Sequence, residues 1–280
     1  TFSTSIDVLG PWSLVTSKRF WEEFAPTALA ADGEPILRTT FSCEADWQTV
    51  HASVTQQENS ATITVTGEGD LEEAAAQVGR FVSLDVDARE WPAVGLRDSI
   101  IGEAQAQLPG LRPCGFHSPY EAAAWSVLSQ RVRIVQAAAF RKELIKVFGH
   151  DGAFPTPAVL RTLSLDLPGR KLEYLHAVAD AALDGQLDCL ALRSLPEQFA
   201  LTQVQGIKGL GPFAADLVVI RGANVTDLTP RNEGRLEDEV THLYGSERSF
   251  EEISQAWRPF RSWASVYLRA LREERTHEIA

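Results

Sequence analysis

Three glycines within six residues, Gly206-Ile207-Lys208-Gly209-Leu210-Gly211, interrupt an otherwise apolar stretch from Leu201 to Ile220. Leu201, Val204 and Ile207 recur at helical spacing up to this point, and the glycines then make further helix costly and positive φ cheap. Pro212 stands where the next helix would open, its missing N–H falling where no intrahelical partner exists. Phe213 to Ile220 carry that second helix, and Arg221-Gly222 end it. The chain is thereby committed to two short helices joined by a tight hairpin. Backbone amides at Gly209 and Gly211, bare of side chains and leading into a helix N-terminus, suit a phosphate. A plain helix–helix turn without ligand fits the same glycines, and both readings stand at this point.

A chain of 280 residues is long enough for one large core or two modest ones. No segment approaches the roughly 20 apolar residues needed to span a bilayer. No basic-then-apolar leader opens the chain either, so a cytoplasmic protein with no membrane partner is expected. Cys43, Cys114 and Cys189 are odd in number and widely spaced, which predicts unpaired core thiols rather than disulfides, zinc or iron–sulfur ligands. The formal net charge of −12 argues at first against a polyanionic partner. Its distribution softens that objection: residues 111–180 hold 9 Lys+Arg against 6 Asp+Glu, whereas residues 1–110 hold 6 against 17. A nucleic acid would meet a local basic patch, with a modest dependence on salt.

Residues 1 to about 90 read as a small α+β unit. Pro35 to Cys43, Trp47 to Thr55 and Ala61 to Thr66 have the β-branched content and partial alternation of antiparallel strands, with a turn at Glu58-Asn59-Ser60. Asp70 to Phe81 reads as a helix with an acidic first turn. Trp91-Pro92 and Pro109-Gly110 mark a linker-like region, and Ser118-Pro119-Tyr120-Glu121 reads as a capping box. Helical patterns then follow: Tyr120 to Leu128, Ile134 to Phe148 ended by Gly149, Arg170 to Leu183, Pro196 to Ile207, Gly234 to Tyr244 and Glu251 to Arg272. The expected fold class is mostly α, with a small α+β domain carrying an antiparallel sheet over residues 1–105 and a helical domain over residues 106–280.

The stretch GIKGLGPFAAD resembles the helix-hairpin-helix of the DNA glycosylase superfamily, most nearly the branch of 3-methyladenine DNA glycosylase II, and Trp257 to Ala264 resembles that branch's WxPxRSxA segment. The resemblance implies a monomeric enzyme of base excision repair that flips an alkylated base out of double-stranded DNA and hydrolyses its glycosidic bond. It implies that Lys208, Gly209 and Gly211 hold the DNA backbone. The carbonyls of Gln205, Ile207 and Leu210 would hold a monovalent cation, with no other cofactor required. Gln130 falls where the family contacts the opposing base, and Arg131 where it wedges into the gap left by the flipped nucleotide, in place of the Leu of the best-known members. Phe213 stands at the position of the family's pocket tryptophan and of the lyase branch's catalytic lysine. With Phe there no Schiff base can form, so a monofunctional enzyme using water is expected. Trp125, Tyr120 and Trp263 complete the candidate base pocket, because electron-rich rings suit a positively charged base. The iron–sulfur branch is excluded, since the chain lacks its cysteine cluster.

Breaking the glycosidic bond builds positive charge at C1′, which a carboxylate stabilises while water attacks. The family's Asp follows a Pro after the second hairpin helix, and here that loop reads Asp227-Leu228-Thr229-Pro230-Arg231-Asn232-Glu233. The shorter family spacing puts Asn232 at the catalytic position, and the longer spacing puts Glu233 there. Three outcomes stay open: Glu233 supplies the carboxylate, Asp227 folds back into the site, or the chain is a non-catalytic damaged-DNA-binding protein. Asn232 is also expected to cap the helix that follows. Arg258 and Arg261 are expected to reach phosphates or to sit in ion pairs. A helical protein–protein module, using the hairpin as a plain turn, is the reading from a third class.

Overall fold

The alternating segments near the N-terminus build a four-stranded antiparallel sheet of order β1-β4-β3-β2, seen in a computed structural model that describes residues 1–24 and 33–278. Its strands are β1 (Phe2–Asp7), β2 (Leu37–Ser42), β3 (Thr49–Gln57) and β4 (Ser60–Gly67). One face, with Leu37, Val50, Val54, Ala61, Ile63 and Val65, is buried against α1 (Leu14–Phe24) and α2 (Leu71–Phe81). Asp70 caps α2 by accepting the Glu73 N–H. β1 and α1 lay outside the strands and helices expected from sequence. The serine- and threonine-rich β1 is an edge strand that buries neither face fully, so its apolar signal is weak.

Among the described residues twelve further α-helices follow: α3 (Trp91–Arg97), α4 (Ser99–Gln107), α5 (Pro119–Leu128), α6 (Ile134–Phe148), α7 (Pro157–Leu160), α8 (Lys171–Leu183), α9 (Cys189–Ser194), α10 (Glu197–Gln205), α11 (Pro212–Leu217), α12 (Gly234–Tyr244), α13 (Phe250–Ser254) and α14 (Arg261–Thr276). The region expected as a linker is α3 and α4. Pro92 sits in the first turn of α3, where it costs nothing, and Asp98 caps α4 through the Ile100 and Ile101 N–H groups. Trp91 and Ile101 pack there with Trp257, Phe260, Trp263 and Tyr267 of the C-terminal segment. The single helix expected from Glu251 to Arg272 is broken around Pro259 into α13, a short 3₁₀ turn at Gln255–Trp257, and α14.

Two further local expectations are corrected. Only half of the capping box forms: Ser118 accepts the Glu121 N–H at 3.1 Å, but the Glu121 carboxylate turns to His117 and Arg141 instead of its own helix end. The second hairpin helix stops at Leu217 and widens into a π turn, Val218–Gly222, where the Ala223 N–H donates to the Val218 carbonyl. All three cysteines are free and buried. No helix among the described residues is long and apolar enough to cross a membrane.

Glu44, in the loop after β2, ties the sheet to the helical part by accepting the Cys189 N–H at 3.2 Å, while its Oε1 is buried without a partner. Burial pushes this carboxyl up to about 7. An unfolded-chain glutamate titrates near 4.3. The native state therefore holds more protons between those values, and its stability falls as pH rises through that window. Urea unfolding at pH 5 and pH 8 is expected to show this loss in the wild type, and Glu44→Gln is expected to reduce it by about 1–3 kcal/mol.

Candidate active site

The hairpin joins α10 to α11 at the surface. Ile207 and Leu210 are buried beneath it, while Gly206, Lys208 and Gly211 face solvent. Gly209 has φ +92°, and a Cβ there would lie 2.3 Å from Cγ of Tyr174. At Gly211 the backbone is ordinary and the space beyond is open. Ile207 O accepts the Leu210 N–H at 3.1 Å, and among the described residues no backbone N–H donates to the carbonyls of Gln205 or Leu210. Uncommitted neutral carbonyls of this kind are the donor set that takes a monovalent cation in place of water. Lys208 is exposed and ion-paired with Glu173, which also binds Arg170. Those two partners, Arg170 foremost, hold the Glu173 carboxyl down to about 2.

The turn between α5 and α6 lies against this hairpin. Gln130 Nε2 donates to Gly209 O at 2.7 Å, and the buried Lys171 ammonium donates to the carbonyls of Val127 and Gln130 at 2.9 and 2.6 Å. The Gln130 amide thus faces the hairpin rather than an open groove. Arg131 stands at the apex, exposed and at φ +54°, a left-handed conformation that non-glycine residues seldom adopt.

Beside the hairpin a pocket of about 170 Å³ opens between α11, the π turn, the Pro230 loop, α14 and α1. Phe213, Asp216, Leu217 and Ile220 recur at helical spacing and so line one wall. Glu233 enters from the residue preceding α12 and is ion-paired with Arg269 of α14. Arg221 lies over the ring of Phe20 at 5.4 Å from its centroid and donates to Cys114 O at 2.7 Å. Asp216 is 6% exposed. Its Oδ2 accepts three N–H groups: the Arg231 and Asn232 backbones at 3.0 and 3.1 Å and the Asn232 side-chain amide at 3.0 Å. Burial still leaves this carboxyl above its ordinary value.

Of the two residues expected at the catalytic position, Glu233 lines the pocket and Asn232 does not. The expectation that Asn232 caps α12 is corrected as well: Glu233 occupies the N-cap position, and the Asn232 amide is engaged by Asp216. Asp227 does not fold back. It accepts from Arg261 Nε at 2.7 Å and Arg258 Nη1 at 3.2 Å, and Arg261 is buried in that bond network, out of reach of a phosphate.

Phe213, half exposed, is the one expected pocket aromatic that lines the cavity. The other three are corrected. Tyr120 donates its hydroxyl to Pro155 O inside the helical core, and Trp125 is buried in the same core. Trp263 is buried behind the pocket with Arg112 over its ring. Large apolar rings gain more from full burial than from a half-open cavity.

Phe20, Asp216, Arg221 and Arg269 were absent from the sequence-derived site. Asp216 had a legible signal, a carboxylate in an apolar helix three residues beyond Phe213 and hence on the same face. The others meet the pocket only through tertiary packing.

No family model matches the chain. It is 24% identical over 218 residues to the DNA-3-methyladenine glycosylase of Bacillus subtilis, an overlap covering 70% of this chain and 71% of that protein. Its fold matches the 3-methyladenine DNA-glycosylase from Archaeoglobus fulgidus with a TM-score of 0.76 at 18% identity, over 99% of this chain and 100% of that one. The apo 8-oxoguanine glycosylase/lyase of Clostridium acetobutylicum shares the fold with a TM-score of 0.67 at 17% identity, over 96% of each chain. With the glycine hairpin, the Pro230 loop and the pocket between them, the chain shares the fold of these glycosylases and is similar in sequence to a relative named as a DNA-3-methyladenine glycosylase.

Proposed function

We propose that the chain is a monofunctional DNA glycosylase that flips a damaged base of the 3-methyladenine type from duplex DNA and releases it by hydrolysis. The observation that carries this reading is the pocket itself: a carboxylate, Glu233, faces Phe213 in a cavity beside the hairpin, and no lysine lines it. Without an amine, water is the nucleophile. The flipped base lies against the Phe213 ring, and the Glu233 charge, oriented by Arg269, stabilises the positive charge developing at C1′. Arg131 fills the vacated stack, and the amides of Gly209 and Gly211 hold the phosphates. A monovalent cation on the carbonyls of Gln205, Ile207 and Leu210 would add positive charge facing the backbone.

The test is base release from methylated duplex DNA. Alkali-labile abasic sites are expected, with no strand cleavage before alkali and no borohydride-trapped covalent complex. Trapping would establish a lyase. Activity that appears only in Asn232→Asp would turn the reading to a damage-binding protein, and salt-independent or absent affinity for abasic DNA would turn it to a protein–protein module.

A further inference from the structure

The pocket holds two carboxylates, restrained in opposite ways. Glu233 is bound to the Arg269 guanidinium. Asp216 is more than nine-tenths buried, and all three of its donors meet Oδ2, leaving Oδ1 without one. The charged groups around it are Arg231, whose guanidinium is turned away to Glu197 and Glu251, and, lining the same pocket, Glu233, Arg221 and Arg269. A carboxylate already bound to a guanidinium is a poor proton acceptor, whereas a desolvated one with a free oxygen is a good one.

We propose that Asp216 is the proton acceptor of the reaction, its Oδ1 taking a proton from the attacking water while Glu233 remains the charge that stabilises C1′. This rests on the reading of the pocket as a hydrolytic glycosylase site. In the step, one O–H bond of water breaks and its proton passes to Oδ1 as the oxygen bonds to C1′. The C1′–N bond breaks, and its electron pair leaves with the base, which a cationic alkylated base accepts without a further proton. The elevated proton affinity that burial gives Asp216 brings it closer to the working pH. The same side chain fixes the loop that delivers Glu233, so proton transfer and loop geometry have to be separated by experiment.

Asp216→Asn retains an acceptor oxygen for the Arg231 and Asn232 N–H groups, while Asp216→Ala removes it. Single-turnover base release from methylated duplex DNA, affinity for abasic DNA and the unfolding midpoint are measured for each. Asp216→Asn is expected to slow release by about 10²–10⁴-fold and to abolish the acidic limb of the pH–rate profile, with affinity and midpoint retained. Azide or formate is expected to restore part of the rate to Asp216→Ala. An Asp216→Asn variant within about threefold of the wild-type rate overturns the inference alone. So does a loss of rate that merely follows loss of affinity and stability, which marks a loop clamp. A wild type that releases no base from any substrate overturns the glycosylase reading with it.

Discussion

Glu233→Gln is expected to lower single-turnover base release by about 10²–10³-fold while leaving affinity for abasic DNA near that of the wild type. Glutamine keeps the length and shape of the side chain and loses only its charge, so the transition state is affected and the bound ground state is not. Arg269 loses its ionic partner, and its Nη1 is already buried without an acceptor, so a small fall in unfolding midpoint accompanies the change. Glu233→Asp retains the charge on a shorter stem and is expected to fall between the two. A Glu233→Gln enzyme as fast as wild type would remove Glu233 from the chemistry.

A second large effect is expected at the hairpin, where two glycines separate folding from binding. Gly209→Ala puts a methyl group into the Tyr174 ring at a left-handed φ, so the turn itself must move. A loss of about 2–4 kcal/mol in chemical denaturation is expected, with DNA affinity falling alongside it. Gly211→Ala meets ordinary φ and empty space. Its stability is expected to stay within about 0.5 kcal/mol of wild type, yet its affinity for abasic DNA should fall about tenfold as the methyl holds a phosphate off the amide. Unchanged affinity in Gly211→Ala would reduce the hairpin to a plain turn.

Those glycines were legible because they act locally, and the same holds for most of the fold. Helix α6 runs from Ile134 to Phe148, and Gly149 ends it where the apolar spacing stops. The two hairpin helices also appear where the pattern puts them, though the second widens at Val218. Legibility fails where burial overrides local preference. Pro92 suggested a linker but occupies a first turn, and Pro259 splits what the periodicity joins. Within the site, Phe213 opens the second hairpin helix and Glu233 ends the Pro230 loop, and both could be placed because the family resemblance marks those positions. Arg269 and Phe20 come from elements far along the chain, and no local pattern announces such a meeting. Tyr120, Trp125 and Trp263 show the converse, since an aromatic ring looks the same in sequence whether it stacks on a ligand or fills a core.

Phe20 belongs to the N-terminal half yet closes a cavity built by the C-terminal half, and it carries the Arg221 guanidinium on its face. A fragment beginning after the sheet would lack that lid: solvent would enter the recess and reach the face of a cation now covered by an aromatic plane, held then by the Cys114 carbonyl. The sheet-bearing portion is accordingly a structural component of the chamber in which a nucleobase would be held, and severing it would widen the receptacle even if every helix behind it still folded.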